Sequence, residues 1–274
     1  MLLTVLGCSG SAPGPRSPSS GYLLEADGFA LGVELGNGTL AELQAVRDPF
    51  SLGGLLFSHL HPDHCADFSA LTVMRRWHPA PPVDPYTDRL AVYAPKEAPT
   101  RFAAAYAADR AELEDELLTD VYDFHPLAPG VREIGPFSVT TAEVSHPCDA
   151  YGFRFTHSGL SLAYTGDTGV CDALDELVAD VDVLLGEASW THGDHHPSGV
   201  HLSGLELGAL ATRNRVKRLL VTHVAPWTDQ EAVLAEARSS WSARARSTTS
   251  EICPQPHRLS TGKIDIGHSV GGYR

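Results

Sequence analysis

This sequence of 274 residues lacks three features on which other classes of protein depend. No apolar run approaches the roughly 18 residues of a membrane-spanning helix, so no membrane partner is expected. The five cysteines are odd in number and never form a CxxC pair, which argues against a disulfide framework or zinc knot and predicts reduced thiols in the cytoplasm. The opening residues lack a basic segment, and we expect a strand and a turn there rather than a signal peptide.

Positive charge is also scarce in this sequence. The 20 Lys and Arg residues against 34 Asp and Glu residues give a formal net charge of -14. A protein that binds long nucleic acid normally neutralises the phosphates with a basic stripe, whereas the basic residues here are scattered. The balance disfavours a long nucleic acid as partner and favours a small-molecule substrate.

What the sequence does contain is the composition of a globular protein, with 43% hydrophobic and 20% charged residues. Strand patterns followed by helical patterns occur in both halves of the chain. This order predicts one α/β domain over residues 1–242, built as a sandwich of two sheets with helices outside, in four αββα layers. Periodicity is lost from about residue 243, so we expect residues 243–274 to form an irregular, poorly ordered tail.

Three stretches carry signals for helices and their boundaries. Asp63 is placed to cap the N-terminus of the helix that follows it. The Ala- and Glu-rich residues 100–118 predict one continuous helix. Ser203 and Glu206 have the spacing of a capping box, which predicts a helix that begins directly after Ser203.

The stretch FSHLHPDHCADF, residues 57–68, holds four potential metal ligands within six positions. His59 and His61 are two apart on an extended segment, so their side chains can point the same way. Asp63 and His64 follow at a helix start and can close on the same point. A polar loop with a capping aspartate is the alternative, but this density of ligand types favours a metal site.

Three more candidate ligands follow apolar strands further along the chain. His146 ends VTTAEVSH, Asp167 ends LAYTGD and His223 ends LLVTH. Each alone would be an ordinary polar residue at the end of a strand, but loops at strand ends are where functional residues gather. Together they can complete a site that the first cluster cannot complete alone.

These motifs, spread over roughly residues 1–240, resemble those of the metallo-β-lactamase superfamily. The resemblance implies an αββα sandwich with a binuclear metal centre between the sheets, and the ligands suit zinc, manganese or iron. Glu34 stands where the family usually has an aspartate after an early strand, which implies a supporting role behind the ligands. By motif matching, His59, His61 and His146 would hold one metal, Asp63, His64 and His223 the other, and Asp167 would bridge the two.

Two segments narrow the resemblance to the ribonuclease Z branch, which cleaves phosphodiesters. LLGEASWTH and HLSGLELGALA match it, and the match implies that Glu187 and His201 form a proton relay with Asp63. A strand-end carboxylate and a helix-entry residue are the alternatives. Only two predicted strands and a tight turn separate His146 from Asp167, which leaves no room for that branch's long RNA-gripping arm. The whole chain is most similar to actinobacterial cyclic nucleotide phosphodiesterases of an atypical class II-like type.

The resulting hypothesis is a metal-dependent phosphodiesterase that converts 3′,5′-cyclic nucleotides of the cAMP type to 5′-monophosphates with a metal-bridged hydroxide. A ribonuclease Z-like tRNA 3′-end endonuclease and a metal-binding regulator without turnover are the alternatives. A monomer and a homodimer are both left open. The candidate substrate contacts, which could instead belong to a simple turn, a solvated loop or ordinary packing, are Ser9, Ser11, Trp190 and His192.

Overall fold

The computed structural model describes residues 1–15, 17–114, 117–193, 195–241, 250–252 and 263–265. Within them the chain forms two seven-stranded sheets that face each other, with helices on both outer faces. This arrangement confirms the predicted αββα sandwich. No helix in these ranges combines the length and the apolar character needed to cross a membrane.

The first sheet comes from the N-terminal half of the chain and one later strand. Its strands are β1 (Leu2–Gly7), β2 (Gly21–Ala26), β3 (Phe29–Val33), β4 (Gly54–Leu56), β5 (Leu90–Ala94), β6 (Tyr122–Pro126) and β14 (Lys263–Asp265). Their spatial order is β14-β1-β2-β3-β4-β5-β6. The strands from β14 to β3 pair antiparallel. Those from β3 to β6 run parallel, because longer crossovers that contain helices connect them.

The second sheet comes from the C-terminal half. Its strands are β7 (Gly130–Ile134), β8 (Phe137–Glu143), β9 (Tyr151–His157), β10 (Leu160–Tyr164), β11 (Val183–Glu187), β12 (Leu219–Thr222) and β13 (Ser250–Ile252). Their order in space is β13-β12-β11-β10-β9-β8-β7. Because β10, β11, β12 and β13 are parallel, the carboxyl ends of these strands lie at one edge of the sheet.

The helices cover the outer faces of the two sheets. Because successive side chains of a strand point to opposite faces of the sheet, each strand contributes to two hydrophobic cores. In β2, Tyr22 and Leu24 pack between the two sheets, whereas Leu23 packs on the outer face under the helices. The helices of the first sheet are α1 (Thr39–Val46), α2 (Pro62–Cys65), α3 (Phe68–Trp77), α4 (Ala98–Tyr106) and α5 (Arg110–Glu114). Those of the second sheet are α6 (Ala173–Val178), α7 (Gly204–Arg213) and α8 (Gln230–Ser240).

One of the three helix-boundary predictions is confirmed. Helix α7 begins with the predicted capping box: the hydroxyl of Ser203 accepts a hydrogen bond from the Glu206 amide, and the Glu206 carboxylate accepts one from the Ser203 amide. The box satisfies amides that the first turn of a helix leaves without partners. It therefore fixes where the loop before α7 ends.

The other two predictions are wrong. The helix after the histidine cluster is divided into α2 and α3, with His61 and Asp67 at the N-cap positions. Asp63 lies inside α2 and does not cap it, because its carboxylate accepts from the Ser11 amide at 2.7 Å. Residues 100–118 form α4 and α5 instead of one helix. The break lies near Asp109, whose Oδ1 accepts from the Glu112 amide at 3.0 Å and so caps a new helix.

The predicted irregular tail, residues 243–274, contains two strands. The backbone of β13 pairs with β12, and that of β14 pairs with β1, so each extends one edge of a sheet. A three-residue edge strand takes its hydrogen bonds from its neighbour and is too short to carry an alternating pattern, which is why periodicity did not reveal it. The other residues of the predicted tail, and therefore its order as a whole, lie outside the described residues.

Candidate metal centre

The structure brings all seven predicted ligands together at one edge of the sandwich. Asp167 and His223 follow β10 and β12, and the 57–64 loop follows β4. Ligand sites of open α/β sheets lie outside the carboxyl ends of their strands, as here. The ligand atoms fall into two groups, within each of which they lie less than 4.8 Å apart: His59, His61 and His146, and Asp63, His64, Asp167 and His223.

The first group contains three imidazoles, one ring nitrogen of each of which points toward the other two. Nε2 of His59 lies 3.0 Å from Nδ1 of His61, which lies 3.2 Å from Nε2 of His146. Nδ1 of His146 donates to the Val200 carbonyl oxygen at 2.9 Å, because that oxygen can only accept, and this leaves a lone pair on Nε2. Nδ1 of His59 is held by the Ser58 hydroxyl at 3.0 Å. Such outer contacts orient metal-binding histidines.

The second group surrounds the carboxylate of Asp167. Its Oδ2 lies 3.1 Å from Nε2 of His223 and 3.2 Å from Nε2 of His64. The same oxygen is 3.7 Å from Nε2 of His59, a member of the first group. Oδ2 of Asp63 lies 3.5 Å from Nε2 of His64 and 3.7 Å from Nε2 of His223. Asp167 therefore lies between the two groups, where a bridging ligand is expected.

Several buried polar atoms in the second group have no hydrogen-bond partner within the described part of the chain. They are Nδ1 and Nε2 of His64, Nε2 of His223 and Oδ1 of Asp167. Native proteins rarely leave buried polar atoms unsatisfied, and each such atom needs an explanation. Imidazole nitrogens and carboxylate oxygens at this spacing are the ligands of divalent transition metals. The residues present thus fit the metal centre that the family resemblance implies.

The pKa shifts of the first group and of Asp167 suit metal binding, whereas that of His64 does not, because the Asp167 carboxylate outweighs burial and raises the pKa of His64 well above its usual range. Burial lowers the pKa of His61 and His146, and it lowers the pKa of His59 strongly. Burial opposes ionisation of Asp167, but the neighbouring His223 outweighs it and holds the pKa of that carboxyl well below its usual range. Neutral histidines and an ionised carboxylate are the forms that bind metal.

Glu34 lies directly behind the ligands and is fully buried. Its Oε1 accepts a hydrogen bond from the Ser58 amide at 3.0 Å and lies 3.6 Å from Nδ1 of His64. Glu34 has a positive φ of 61°, a conformation that costs a non-glycine residue free energy and clusters at functional sites. These contacts agree with the supporting role implied for Glu34, which stays a prediction.

Glu187 and His201 form a hydrogen-bonded pair beside the second group. Glu187 ends β11 and is fully buried, and its Oε1 lies 3.0 Å from Nδ1 of His201. The same oxygen accepts from the amides of Thr168 at 2.9 Å and Leu202 at 3.3 Å, so the carboxylate is fixed in place. His201 lies beside the candidate ligands, since its Nδ1 is 3.9 Å from Oδ2 of Asp167.

The third predicted member of the relay is not part of this pair. Among the described residues, Asp63 contacts Ser11, His64 and His223 and makes no hydrogen bond with Glu187 or His201. Burial alone would lower the pKa of His201, but the Glu187 carboxylate outweighs burial and raises the pKa of the ring to about 9. The pair is therefore a buried carboxylate that favours the protonated form of the histidine it holds.

The two serines among the predicted substrate contacts lie in the loop after β1. Ser9 is 3% exposed, and its hydroxyl donates to the Ala12 carbonyl oxygen at 2.8 Å, which ties it to its own turn. Ser11 is exposed, and its amide donates to Asp63. The structure thus turns Ser9 inward and leaves the Ser11 side chain at the mouth of the site.

The other two predicted contacts lie near His201. The Trp190 ring meets the His201 ring edge to face, with centroids 5.1 Å apart. Nδ1 of His192 lies 3.0 Å from the Ser203 hydroxyl. Both residues line a cleft of which His201 forms one wall. Trp190 and His192 are therefore placed where a substrate beside His201 would meet them.

Sequence reasoning missed the residues that hold the ligands from behind. The Ser20 hydroxyl lies 3.0 Å from Nδ1 of His223, and Ser58 and Val200 hold His59 and His146. Ser58 directly precedes His59, so that contact had a local signal. Ser20 is far from His223 in sequence and meets it only because the two sheets face each other, so no local pattern could reveal that contact.

A close approach of two backbones fixes the position of His223. A Cβ atom added to Gly10 would lie 2.3 Å from the His223 carbonyl oxygen, whereas nothing lies within 4 Å of the same position on Gly193. We expect Gly10→Ala to lower the free energy of unfolding by about 1–3 kcal/mol and to weaken metal binding, because the His223 backbone must move. Gly193→Ala is the matched control. Urea unfolding and metal titration of both variants measure the effect, and equal behaviour of the two would contradict it.

Known proteins with similar sequences cover most of the chain. The sequence matches the β-lactamase superfamily domain over residues 36–224. An uncharacterized protein of Mycobacterium tuberculosis is 45% identical over 242 residues, which cover 87% of this chain and 86% of that protein. A ribonuclease Z of Mycobacterium avium is 28% identical over 287 residues, covering 98% of this chain and 96% of that protein.

Solved structures share the fold at lower sequence identity. The metallo-β-lactamase fold protein YhfI from Bacillus subtilis has a TM-score of 0.78 at 22% identity, covering 93% of this chain and 97% of that chain. The short form of human tRNase Z has a TM-score of 0.70 at 19% identity, covering 98% and 100%. Likeness at these identities establishes the sandwich architecture and nothing finer.

Proposed function

The chain belongs to the β-lactamase superfamily and is a metallo-hydrolase of that fold, and from this premise we propose that it hydrolyses small phosphodiesters, with 3′,5′-cyclic nucleotides as substrates. The observation that carries the proposal is the Glu187–His201 pair, joined at 3.0 Å beside the two groups of ligands. Lactamase, thioesterase or glyoxalase chemistry would leave this pair without a role. Phosphodiester cleavage gives it one.

That role is protonation of the oxygen that leaves phosphorus. A ribose alkoxide is a poor leaving group, so its departure is accelerated by a positioned acid. Because Nδ1 of His201 is held by Glu187, Nε2 is the ring nitrogen left to donate a proton to the substrate. Glu187 acts as a positioning residue, which keeps the imidazole oriented and protonated. When the 3′ oxygen of a 3′,5′-cyclic nucleotide leaves, the product is the 5′-monophosphate.

We infer that the centre holds two divalent ions. Metal ions bound there would neutralise charge on the phosphate oxygens and supply an activated water as nucleophile. Nitrogen and carboxylate ligands accept zinc, manganese or iron alike, so the metal is left open among these three. The residues that would hold the ions are His59, His61 and His146 in the first group and Asp63, His64, Asp167 and His223 in the second.

The shape of the chain around the site supports a small substrate. The strands β9 and β10 are joined by a turn between His157 and Leu160, so no long arm extends from this position. The formal net charge of -14 opposes the approach of a long polyanion. A cyclic nucleotide carries a single negative charge and avoids most of that repulsion.

A second candidate function is RNA cleavage of the ribonuclease Z type. The observation in its favour is the 28% identity to a ribonuclease Z over 98% of this chain. That reaction would use the same His201 and Glu187, so the chemistry of the site does not separate the two functions. What separates them is the binding of the rest of the RNA, which depends on contacts to many phosphates and weakens steeply as salt rises.

The experiment that tests the proposal is a hydrolysis assay on protein of measured metal content. Metal-loaded protein is given 3′,5′-cyclic nucleotides, a short RNA and a tRNA precursor at low and high salt. We expect 5′-monophosphate from the cyclic nucleotides and loss of the reaction after treatment with a chelator. Cleavage of RNA without cyclic nucleotide turnover would select the second candidate. Full metal loading with no turnover of any diester would favour the regulator that the sequence left open.

We also propose the extent of the hydrolase domain, its oligomeric state and the compartment in which the protein works. We propose residues 1–242 as the hydrolase domain, to whose two sheets β13 and β14 each add one edge strand from beyond that range, with a homodimer as the alternative to a monomer. We also propose that the protein works in the cytoplasm, in keeping with the described cysteines, none of which forms a disulfide. These cysteines are Cys8, Cys65, Cys148 and Cys171.

A further inference from the structure

A cleft of about 200 Å³ opens beside His201. Its volume is below the roughly 300–1,000 Å³ of sites for drug-sized ligands, so it suits one planar ring system. Because His201 forms part of its wall, a substrate whose leaving oxygen meets His201 lies next to this cleft. The side chains that line it and enter the argument are Trp190, His192, His196, His201, Ser203 and Glu206.

The Trp190 ring is a stacking surface that already carries a planar ring. The imidazole of His196 stacks on it with centroids 4.3 Å apart and an interplanar angle of 6°. His196 is exposed and belongs to the loop after Trp190, so it can leave without disturbing the core. Trp190 itself is held, because its carbonyl oxygen accepts from the Gly204 amide at the start of α7. The imidazole therefore marks a position that a larger heterocycle can take.

The polar groups of the cleft present acceptors. The Ser203 hydroxyl donates its one proton to Oε2 of Glu206 at 2.8 Å. The Ser203 oxygen must therefore accept from Nδ1–H of His192 at 3.0 Å. Both bonds from Ser203 to the Glu206 side chain end on Oε2, which leaves Oε1 to accept from a ligand. A ligand that pairs with this oxygen of Glu206 must bring an N–H or O–H donor.

The loop that carries these groups is anchored to α8. The Glu236 carboxylate accepts from the His192 amide at 3.0 and 2.8 Å and from the Leu205 amide at 3.3 Å. Because the Glu236 carboxylate joins the loop to the first turn of α7, the distance between the Glu206 carboxylate and the Trp190 ring is held nearly constant. The cleft is thus largely formed before a ligand enters, which lowers the entropic cost of binding.

We propose that this cleft is the nucleobase subsite of the enzyme. The inference rests on the proposed function, since a cyclic nucleotide with its ribose at His201 carries its base into the cleft. The base displaces the His196 ring, stacks on Trp190 and donates from its exocyclic amino group to the carboxylate of Glu206. Stacking accepts any base, so the acceptors are what favour bases that bear an amino group over those that do not.

The test compares three cyclic phosphates that differ only in the base. They are cAMP, the 3′,5′-cyclic phosphate of purine riboside, which lacks the amino group, and ribose 3′,5′-cyclic phosphate, which lacks the base. We expect KM to rise about tenfold when the amino group is removed and about tenfold again when the base is removed, as one hydrogen bond to a carboxylate and one stacked base predict. Binding of adenosine to chelator-treated protein, measured by calorimetry, gives a second readout that needs no turnover.

Single substitutions test which residues cause these two changes in KM. Trp190→Ala should remove the preference for a base, Trp190→Phe should restore most of it, and Glu206→Gln should remove the preference for the amino group while keeping the capping box. His196→Ala should leave KM unchanged or lower it, because it removes a competing ring. Trp227→Ala is the control, since Trp227 is 73% exposed and lies outside the cleft.

The outcomes separate this inference from the proposed function. Equal KM values for all three phosphates, a loss with Trp227→Ala in place of Trp190→Ala, or a rise in KM with His196→Ala would overturn the subsite while leaving the phosphodiesterase intact. Adenosine binding that depends on Trp190, with no turnover of any diester, would overturn the proposed function and support the subsite.

Discussion

Asp167→Asn should remove the bound metal and the hydrolytic activity together, with turnover falling by at least about a thousandfold. Among the described ligands, Asp167 is the one whose carboxylate oxygen lies near both groups, 3.1 Å from His223 and 3.7 Å from His59. Asparagine has nearly the same shape but no charge. The loss of a charged ligand removes several kcal/mol of transition-state stabilisation, and each factor of ten in rate corresponds to about 1.4 kcal/mol.

Thermal stability gives a readout of the same variant that does not depend on the reaction. Metal that binds only the folded protein stabilises it by about 2.7 kcal/mol at a hundredfold excess over Kd. Wild-type protein should therefore show a clear rise in Tm when zinc or manganese is added after chelation. Asp167→Asn should show a much smaller rise, because its second group has lost the ligand that faces His64 and His223.

The matched control is Asp67→Asn in the same histidine-rich loop. The Asp67 carboxylate accepts from the Leu40 amide at 2.9 Å and is not among the ligand groups. This variant should keep its metal and its turnover. If Asp167→Asn bound two equivalents of metal and turned over cyclic nucleotide at the wild-type rate, the assignment of Asp167 as the bridging ligand would be wrong.

The parts of the site that sequence could predict are those that leave a local signal. His59, His61, Asp63 and His64 are adjacent in sequence, so their convergence needs only an extended segment followed by a helical turn. The distant ligands were found because each follows an apolar strand, and parallel strands bring their carboxyl ends to one edge. The fold class followed from the order of strands and helices in both halves. The order of strands and helices can be predicted because it does not depend on which distant residues come into contact in the folded protein.

What sequence could not predict depends on hydrogen bonds between distant segments. Asp63 is a plausible N-cap in isolation, but the Ser11 amide takes its carboxylate once the loop after β1 lies against it. The capping box of Ser203 and Glu206 was predictable because both partners lie within one helical turn. The pairing of Ser20 with His223, by contrast, exists only in the assembled sandwich.

His201→Ala should keep the metal and lose turnover of cyclic nucleotide by about a hundred- to ten-thousandfold, the usual contribution of a positioned acid. The ligand groups do not include His201, so metal content and the rise in Tm should stay near wild type. Glu187→Gln should have a smaller effect of about ten- to a hundredfold, as expected when a group that orients another is changed. Glutamine keeps the shape and an acceptor for Nδ1 of His201 but loses the charge that favours the imidazolium.

The leaving group offers a sharper test of what His201 does. Bis(p-nitrophenyl) phosphate releases a stabilised phenolate that needs no proton, whereas a cyclic nucleotide releases a ribose oxygen that does. If His201 donates that proton, His201→Ala should impair the cyclic nucleotide far more than the activated diester. A histidine that only shaped the site would impair both substrates alike. His195→Ala is the control, because His195 is exposed in the same loop and is not among the residues that line the cleft.

Comparing the two diesters also distinguishes a defect in the Glu187–His201 pair from a defect in the metal centre. A defect in the metal centre slows every diester, because neutralisation of the phosphate oxygens is needed whatever group leaves. A defect in the Glu187–His201 pair should grow as the leaving group becomes more basic, and it should vanish for the best leaving groups. Equal losses on both diesters in His201→Ala protein that holds its full metal content would exclude proton donation by His201 and leave it a structural part of the cleft wall.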